Sequence, residues 1–249
     1  MIKRHHYLNS LRQLKDQNLI KVITGIRRSG KSTLLEAFKN ELLSEGIAAE
    51  NIIFLNFEER ENLHLTDWIK LYDEIMSIVR PDQKYYIFLD EVQLVESFEK
   101  LVGSLFTKKN IDLYITGSNA YLLSGELATL LTGRYIAINV QPYSFKEFAQ
   151  ANNEENNTEL LFRKYMNSSS FPEAVTLAKQ GDELVNDYIQ SIYDTVIIKD
   201  IANRYKLRNI HNLHRVISFL FDSVGSNVSP TNIAEALGKA SKKNLSHNT

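Results

Sequence analysis

Five short apolar runs punctuate the first 140 or so residues, with helical spacing between them. Ile20-Lys21-Val22-Ile23-Thr24, Ile52-Ile53-Phe54-Leu55, Tyr86-Ile87-Phe88-Leu89 and Leu113-Tyr114-Ile115 are nearly continuous rather than alternating. That is the pattern of strands buried on both faces of a helix-covered parallel sheet. It predicts strands over 20–24, 51–56, 85–90, 112–116 and 135–140, separated by helices over 31–45, 67–79, 98–108 and 119–131. An amphipathic helix over 2–18 precedes them, with Tyr7, Leu8, Leu11 and Leu14 on one face. Alternation of this kind predicts an α/β core with a five-stranded parallel sheet.

The pattern changes at Gln141-Pro142. Beyond it no strand is predicted, and the spacing turns helical over 144–150, 158–167, 182–203 and 209–224. The polar stretch 151–158 reads as an exposed loop. In the tail, Ser229-Pro230 has the chemistry of a helix start, with serine as N-cap and proline at the first helical position, and Gly238 follows the expected end. A second helix start follows at Leu245-Ser246-His247-Asn248-Thr249, so the pattern reads as a helix-turn-helix cut short. The expected division is an α/β core over 1–141, a helical segment over 142–205 and a partial helix-turn-helix over 206–249.

The chemistry concentrates after the first strand. Gly25-Ile26-Arg27-Arg28-Ser29-Gly30-Lys31-Ser32 fits G-x-x-x-x-G-K-[ST] and sits between a strand and a helix, the context that makes this pattern a phosphate site. Its backbone N–H groups and the following helix N-terminus both favour negative charge. The glycines permit backbone angles and a close approach that a Cβ would block. Lys31 is positioned to reach the β- and γ-phosphates, Ser32 to ligate Mg²⁺, and Thr33 to add a hydroxyl at the α-phosphate. Arg27 and Arg28 either clamp phosphate or are solvated.

Tyr85-Tyr86-Ile87-Phe88-Leu89-Asp90-Glu91 ends a strand in two acids, at the sheet edge where α/β sites form. There Asp90 would hold Mg²⁺, and Glu91 would orient and polarise the attacking water. The next strand ends in Thr116-Gly117-Ser118-Asn119, where a polar group could touch the γ-phosphate or the lytic water. Ser118 or Asn119 capping the following helix is the alternative. Asn56 is either a hydrogen-bond partner of Glu91 or a turn residue. Arg134, at the base of the last strand, is either a surface residue or an arginine that reaches a γ-phosphate, in cis or from a neighbouring subunit. His5, His6, His211 and His214 lack companions at metal-ligand spacing.

Composition narrows the classes. The 249 residues are 43% hydrophobic and 24% charged, as in ordinary globular proteins. The net charge of −1 advertises no nucleic-acid coat, and the absence of cysteine excludes disulfides and thiolate metal sites. No apolar run approaches a membrane span and no signal core opens the chain, so a cytoplasmic location without membrane association is expected.

Together these residues resemble the AAA+ superfamily, and more closely its bacterial and archaeal ATPases with a C-terminal nuclease-like domain of unknown role. The resemblance rests on Gly25–Ser32, Leu89-Asp90-Glu91-Val92-Gln93, Ile115-Thr116-Gly117-Ser118-Asn119-Ala120 and Leu131-Thr132-Gly133-Arg134-Tyr135. It extends over Pro142-Tyr143-Ser144-Phe145-Lys146-Glu147-Phe148, Phe171-Pro172-Glu173 and Ile198-Lys199-Asp200-Ile201-Ala202-Asn203-Arg204-Tyr205. It implies sheet order 5-1-4-3-2, a helical lid after Pro142, a truncated winged-helix-like segment and a further domain beyond it. It also implies Mg²⁺-dependent turnover of ATP to ADP and phosphate coupled to conformational change. An ATP-bound switch or DNA-associated module with little hydrolysis is the alternative. The implied partners are further copies of the chain supplying an arginine in trans, and nucleic acid bound through the full-length protein but weakly by these residues. Ser169 and Ser170 stand where relatives carry paired glycines, and Arg204 matches a second lid arginine by position only.

Overall fold

A computed structural model describes residues 2–117, 133–152, 157–203, 205–207 and 209–240. The helix expected over 119–131 lies outside them. The described chain opens with helix α1 (His5–Leu14), strand β1 (Ile20–Thr24), helix α2 (Lys31–Ser44) and strand β2 (Ile52–Asn56). Helix α3 (Trp68–Ile78), strand β3 (Tyr85–Asp90), helix α4 (Phe98–Phe106), strand β4 (Ile111–Thr116) and strand β5 (Tyr135–Asn139) follow. Residues 2–4 stay outside α1, which starts three residues later than its apolar face suggests.

All pairings are parallel and the sheet order is β2-β3-β4-β1-β5, the implied order 5-1-4-3-2 read from its other edge. Successive strand residues point to opposite faces. Ile20, Val22, Ile87, Leu89, Leu113 and Ile115 therefore pack with Leu71, Ile75, Leu101, Val102 and Leu105 of α3 and α4. Ile23, Tyr86, Phe88, Tyr114 and Ile138 pack on the other face with Leu8, Leu11, Leu34, Leu35, Phe38 and Leu42 of α1 and α2. Burial on both faces is why these strands lack alternation.

The chain divides into two compact units, Met1–Ile189 and Gln190–Thr249. The first unit thus holds more than the sheet. Helix α5 (Phe145–Asn152) starts with a capping box in which the Ser144 N–H donates to Glu147 Oε2 and the Glu147 N–H donates to Ser144 Oγ. Helices α6 (Thr158–Asn167) and α7 (Pro172–Leu177) follow, and Phe148, Leu161 and Val175 form a small core of their own with Tyr143. Helix α7 is too short to register as periodicity and was not expected. In place of one helix over 182–203, α8 covers Asp182–Thr195 and a π-helical stretch covers Val196–Asn203.

In the second unit, helix α9 (Ile210–Asp222) precedes α10 (Pro230–Ala240). Ser229 Oγ accepts the Asn232 N–H, so Ser229 caps α10, whose helix runs through Gly238 instead of stopping before it. Arg215 donates to the Leu237 carbonyl at 2.8 Å, and Tyr193 shares a 3.0 Å hydrogen bond with His214. Residues 241–249, where the second tail helix was expected to start, lie outside the described residues.

A buried polar network secures the amino edge of the sheet. Lys21 and Asp112, both fully enclosed, form an ion pair. Asp112 Oδ2 also accepts the Tyr114 hydroxyl at 2.9 Å and the Asp16 N–H at 2.8 Å. Burial pulls the Lys21 amine below its ordinary range, and the Asp112 carboxylate opposes that pull. Removing one partner strands the other charge, so Asp112→Ala should lower unfolding stability by about 3–5 kcal/mol. Denaturant titration checks this, and a loss under about 1 kcal/mol would contradict it.

Candidate functional site

Parallel pairing brings the carboxyl ends of the strands to one edge. β1 ends at Thr24 and hands the chain to the glycine loop, and β3 ends at Asp90. Gly25 has φ +149°, and a Cβ there would lie 2.2 Å from the Val140 carbonyl oxygen. Glycine is thus required at this point by the close passage of Val140, the first residue after β5. Gly30 has φ +96° and leads into α2, and Arg28 also takes a left-handed backbone, at φ 64°.

The loop encloses its lysine. Lys31 is buried, with Nζ 3.3 Å from the Gly25 carbonyl, 3.5 Å from the Ile26 carbonyl and 3.9 Å from Glu91 Oε1. A cleft of about 350 Å³ opens beside it, lined by Arg27, Arg28, Gly30, Lys31, Ser32 and Thr33 from the loop and by Glu58 and Glu91 from the sheet edge. Pro172, Glu173 and Tyr188 close its other side. Arg27 pairs with Glu58 at 3.5 Å, and Arg28 lies near enough to counter the burial that raises the Tyr188 hydroxyl. Ile26 is exposed, and Ser29 is buried away from the cleft.

Asp90 is fully buried. Thr116 donates to its Oδ1 and accepts the Glu91 N–H at 3.0 Å, so one hydroxyl ties both acids to the end of β4. Burial raises the Asp90 carboxyl above its ordinary range, against the hydrogen bonds of Thr116 and Ser32 and the charge of Lys31. Among the described residues Asp90 Oδ2 has no hydrogen-bond partner of good geometry, nor do the buried hydroxyls of Thr24, at the end of β1, and Ser29, in the glycine loop. Buried polar atoms left unpaired at one end of a sheet mark a place that folding alone would not build. Glu91 sits in a left-handed conformation at φ 54°, ψ 45°, uncommon for a residue with a Cβ. Gln93 donates to its Oε2.

Other expected residues fall elsewhere. Asn56 Oδ1 accepts the Glu58 N–H at 2.9 Å, the turn alternative for that residue. Ser118 and Asn119 lie outside the described residues. Arg134 precedes β5, and its carbonyl accepts the Ile20 N–H, which puts it at the amino edge of the sheet. A five-residue strand separates that edge from the loop, about 16 Å. The Arg134 guanidinium lies 5.9 Å from the centre of the Phe106 ring. Gln93, Glu173 and Tyr188 carry no role in the sequence reading, and Thr116 enters it only as one of the polar groups at the end of β4. Of these four, Thr116, Gln93 and Glu173 fall in motifs that carried the resemblance, and Tyr188 does not.

A parallel sheet ordered 2-3-4-1-5, with the glycine loop after β1 and Asp-Glu after β3, defines the P-loop core of the AAA+ superfamily. The chain belongs to the AAA domain family, whose model matches residues 17–149, and a domain of unknown function matches residues 159–248. An uncharacterized protein of Haemophilus influenzae is 43% identical over 246 residues, 95% of this chain and 60% of its own length. One of Methanocaldococcus jannaschii is 30% identical over 240 residues, 91% of this chain and 52% of its own. The chain therefore spans a little over half the length of these curated relatives. A Walker-type ATPase of Pyrococcus abyssi shares the fold, with a TM-score of 0.60 and 16% identity over 99% of this chain and 86% of its own. Among the described residues no helix is long and apolar enough to cross a membrane.

The raised Asp90 carboxyl has a consequence for stability. A carboxyl whose folded pKa lies above its unfolded value destabilises the fold at neutral pH, and the penalty is relieved as pH falls through the folded pKa. Asp90→Asn should therefore raise the melting temperature at pH 7.5, without nucleotide or Mg²⁺, by about 2–4 °C. A thermal melt checks this, and a lower melting temperature would contradict it.

Proposed function

We propose that this chain binds ATP with Mg²⁺ and hydrolyses it to ADP and phosphate, with the helical segment after Pro142 responding to the nucleotide. The observation that carries the reading is the meeting of Lys31 and Glu91, 3.9 Å apart, at a cleft walled by the glycine loop. Lys31 supplies positive charge to the β- and γ-phosphates, and the loop N–H groups supply oriented donors. Glu91 orients and deprotonates the attacking water. Arg27 and Arg28 add positive charge to the cleft wall, on the phosphate-clamp reading.

The residues present suit Mg²⁺. Asp90 offers an unpaired buried oxygen near the Ser32 hydroxyl, a hard-oxygen set of the kind Mg²⁺ uses together with phosphate and water. When bound, the ion neutralises phosphate charge. A second, largely apolar pocket of about 170 Å³ adjoins Gly30 and Thr33, lined by Ile2, Leu34, Ala37, Tyr143 and Pro172 among others. It suits the base end of the nucleotide. Pro172 borders both pockets, so phosphate and base each touch the helical segment, which supports a response of that segment to nucleotide.

One observation favours a slow switch instead. Gln93 engages one oxygen of Glu91 while Lys31 lies near the other. If Gln93 restrains Glu91, Gln93→Leu speeds turnover; if it orients Glu91 for water, the change slows it.

Phosphate release measured with Mg-ATP tests the main reading. Lys31→Ala should abolish binding, and Glu91→Gln should retain binding while reducing turnover by at least about 100-fold. Normal turnover by Glu91→Gln would remove Glu91 from its role. Arg134, at the far edge of its own sheet, serves a γ-phosphate only across subunits on this reading. Specific activity should then climb with protein concentration, and Arg134→Ala should flatten that climb. An activity independent of concentration and unchanged in Arg134→Ala would return Arg134 to the surface.

A further inference from the structure

Outside the cleft, Arg4 makes four side-chain hydrogen bonds. It is 8% exposed although it lies near the chain's start. Nε and Nη2 form a fork on Glu147 at 2.8 and 3.0 Å, Nη2 also reaches the Pro142 carbonyl at 3.4 Å, and the guanidinium lies over the rings of Tyr7 and Tyr143 at 4.6 and 5.4 Å. The remaining arm, Nη1, donates at 3.0 Å to the backbone carbonyl of Ser29, inside the glycine loop. A fork that needed only a counter-ion would be satisfied by Glu147. The fourth bond singles out one peptide of the loop.

That peptide joins Ser29 to Gly30. A glycine on its far side lets a peptide plane turn over at little cost, because both signs of φ are open to it. The described peptides include no cis bond, so the Ser29 carbonyl and the Gly30 N–H point in opposite directions. Gly30 borders both the apolar pocket, which Arg4 also lines, and the cleft that holds Lys31 and Ser32. A carbonyl drawn toward Arg4 turns the N–H away from Arg4.

We infer that Arg4 is a positioning residue of the glycine loop: by holding the Ser29 carbonyl it aims the Gly30 N–H at the phosphates, and through Glu147 it ties that orientation to the start of α5. The inference rests on the nucleotide reading above. It gives the helical segment a direct line to the loop, because Glu147 belongs to the capping box of α5. Burial alone would raise the Glu147 carboxyl, but Arg4 and Ser144 together hold it below its ordinary range, so this clasp is charged at neutral pH.

Titration calorimetry with Mg-ATP on three proteins tests it: wild type, Glu147→Gln, and Arg4→Met combined with Glu147→Gln. Glutamine preserves the capping box, and the double change removes the guanidinium without stranding a buried carboxylate. Wild type and Glu147→Gln should agree within about threefold, and the double variant should bind about 10–100-fold more weakly. A double variant that binds like wild type overturns the inference, and so does a single variant that loses as much as the double. A wild type that does not bind Mg-ATP brings down the nucleotide reading and this inference with it. One readout needs no variant: in wild type labelled with ¹⁵N-glycine, pyrophosphate should shift the Gly30 amide resonance. A Gly30 signal unmoved at saturation overturns the inference even if the double variant fails to fold.

Discussion

The parallel register of β1 against β4 and β5 is the constraint on which the rest of the structure depends. Val22 opposite Ile115 and Thr24 opposite Asn139 bring strand ends from distant parts of the chain to one edge. The glycine loop, Asp90-Glu91 and Thr116 meet there because of that alignment. The same alignment sets Val140 against Gly25 so closely that no side chain fits between them. The strand that leads into the helical segment is thereby packed against the loop that holds Lys31, and the Arg4–Glu147 clasp adds a second connection a few residues away.

This edge is costly to build. It carries a buried carboxylate raised by desolvation, two residues with side chains in left-handed backbone, and buried hydroxyls without partners. Each opposes folding, and they cluster where nucleotide chemistry is proposed. Two apolar layers, one on each face of the sheet, offset them. The opposite edge is built differently. Lys21 and Asp112 are also buried charges, but each is paired, and the network around them is well bonded. The Lys21–Asp112 network is satisfied, whereas among the described residues Asp90 Oδ2 and the Thr24 and Ser29 hydroxyls at the carboxyl edge are left wanting partners.

Much of this was legible beforehand. The parallel strands, the loop and the Asp-Glu pair follow from continuous apolar runs and short motifs, which local chemistry fixes, whereas the sheet order was implied by the resemblance alone. What escaped depends on contacts between residues far apart in the chain. Thr116 was one of several polar residues expected near the γ-phosphate, and its bond to Asp90 requires β3 and β4 to be neighbours. Arg4 was one basic residue in a polar start, with no periodicity to mark its bonds to Ser29 and Glu147. Arg134 was recognisable as a motif arginine, but its distance from the loop follows only from the direction of β5. Helix α7, six residues long, gives too few turns to show a period.

The central claim is that the glycine loop and Asp90 together form a Mg-nucleotide site. It is tested most directly by equilibrium titration of the wild-type chain with a non-hydrolysable ATP analogue, with and without Mg²⁺. The account predicts saturable binding at one site per chain, strengthened by Mg²⁺ in wild type but not in Asp90→Asn. Absence of saturable binding, or a Mg²⁺ effect that survives the loss of the Asp90 charge, would contradict it.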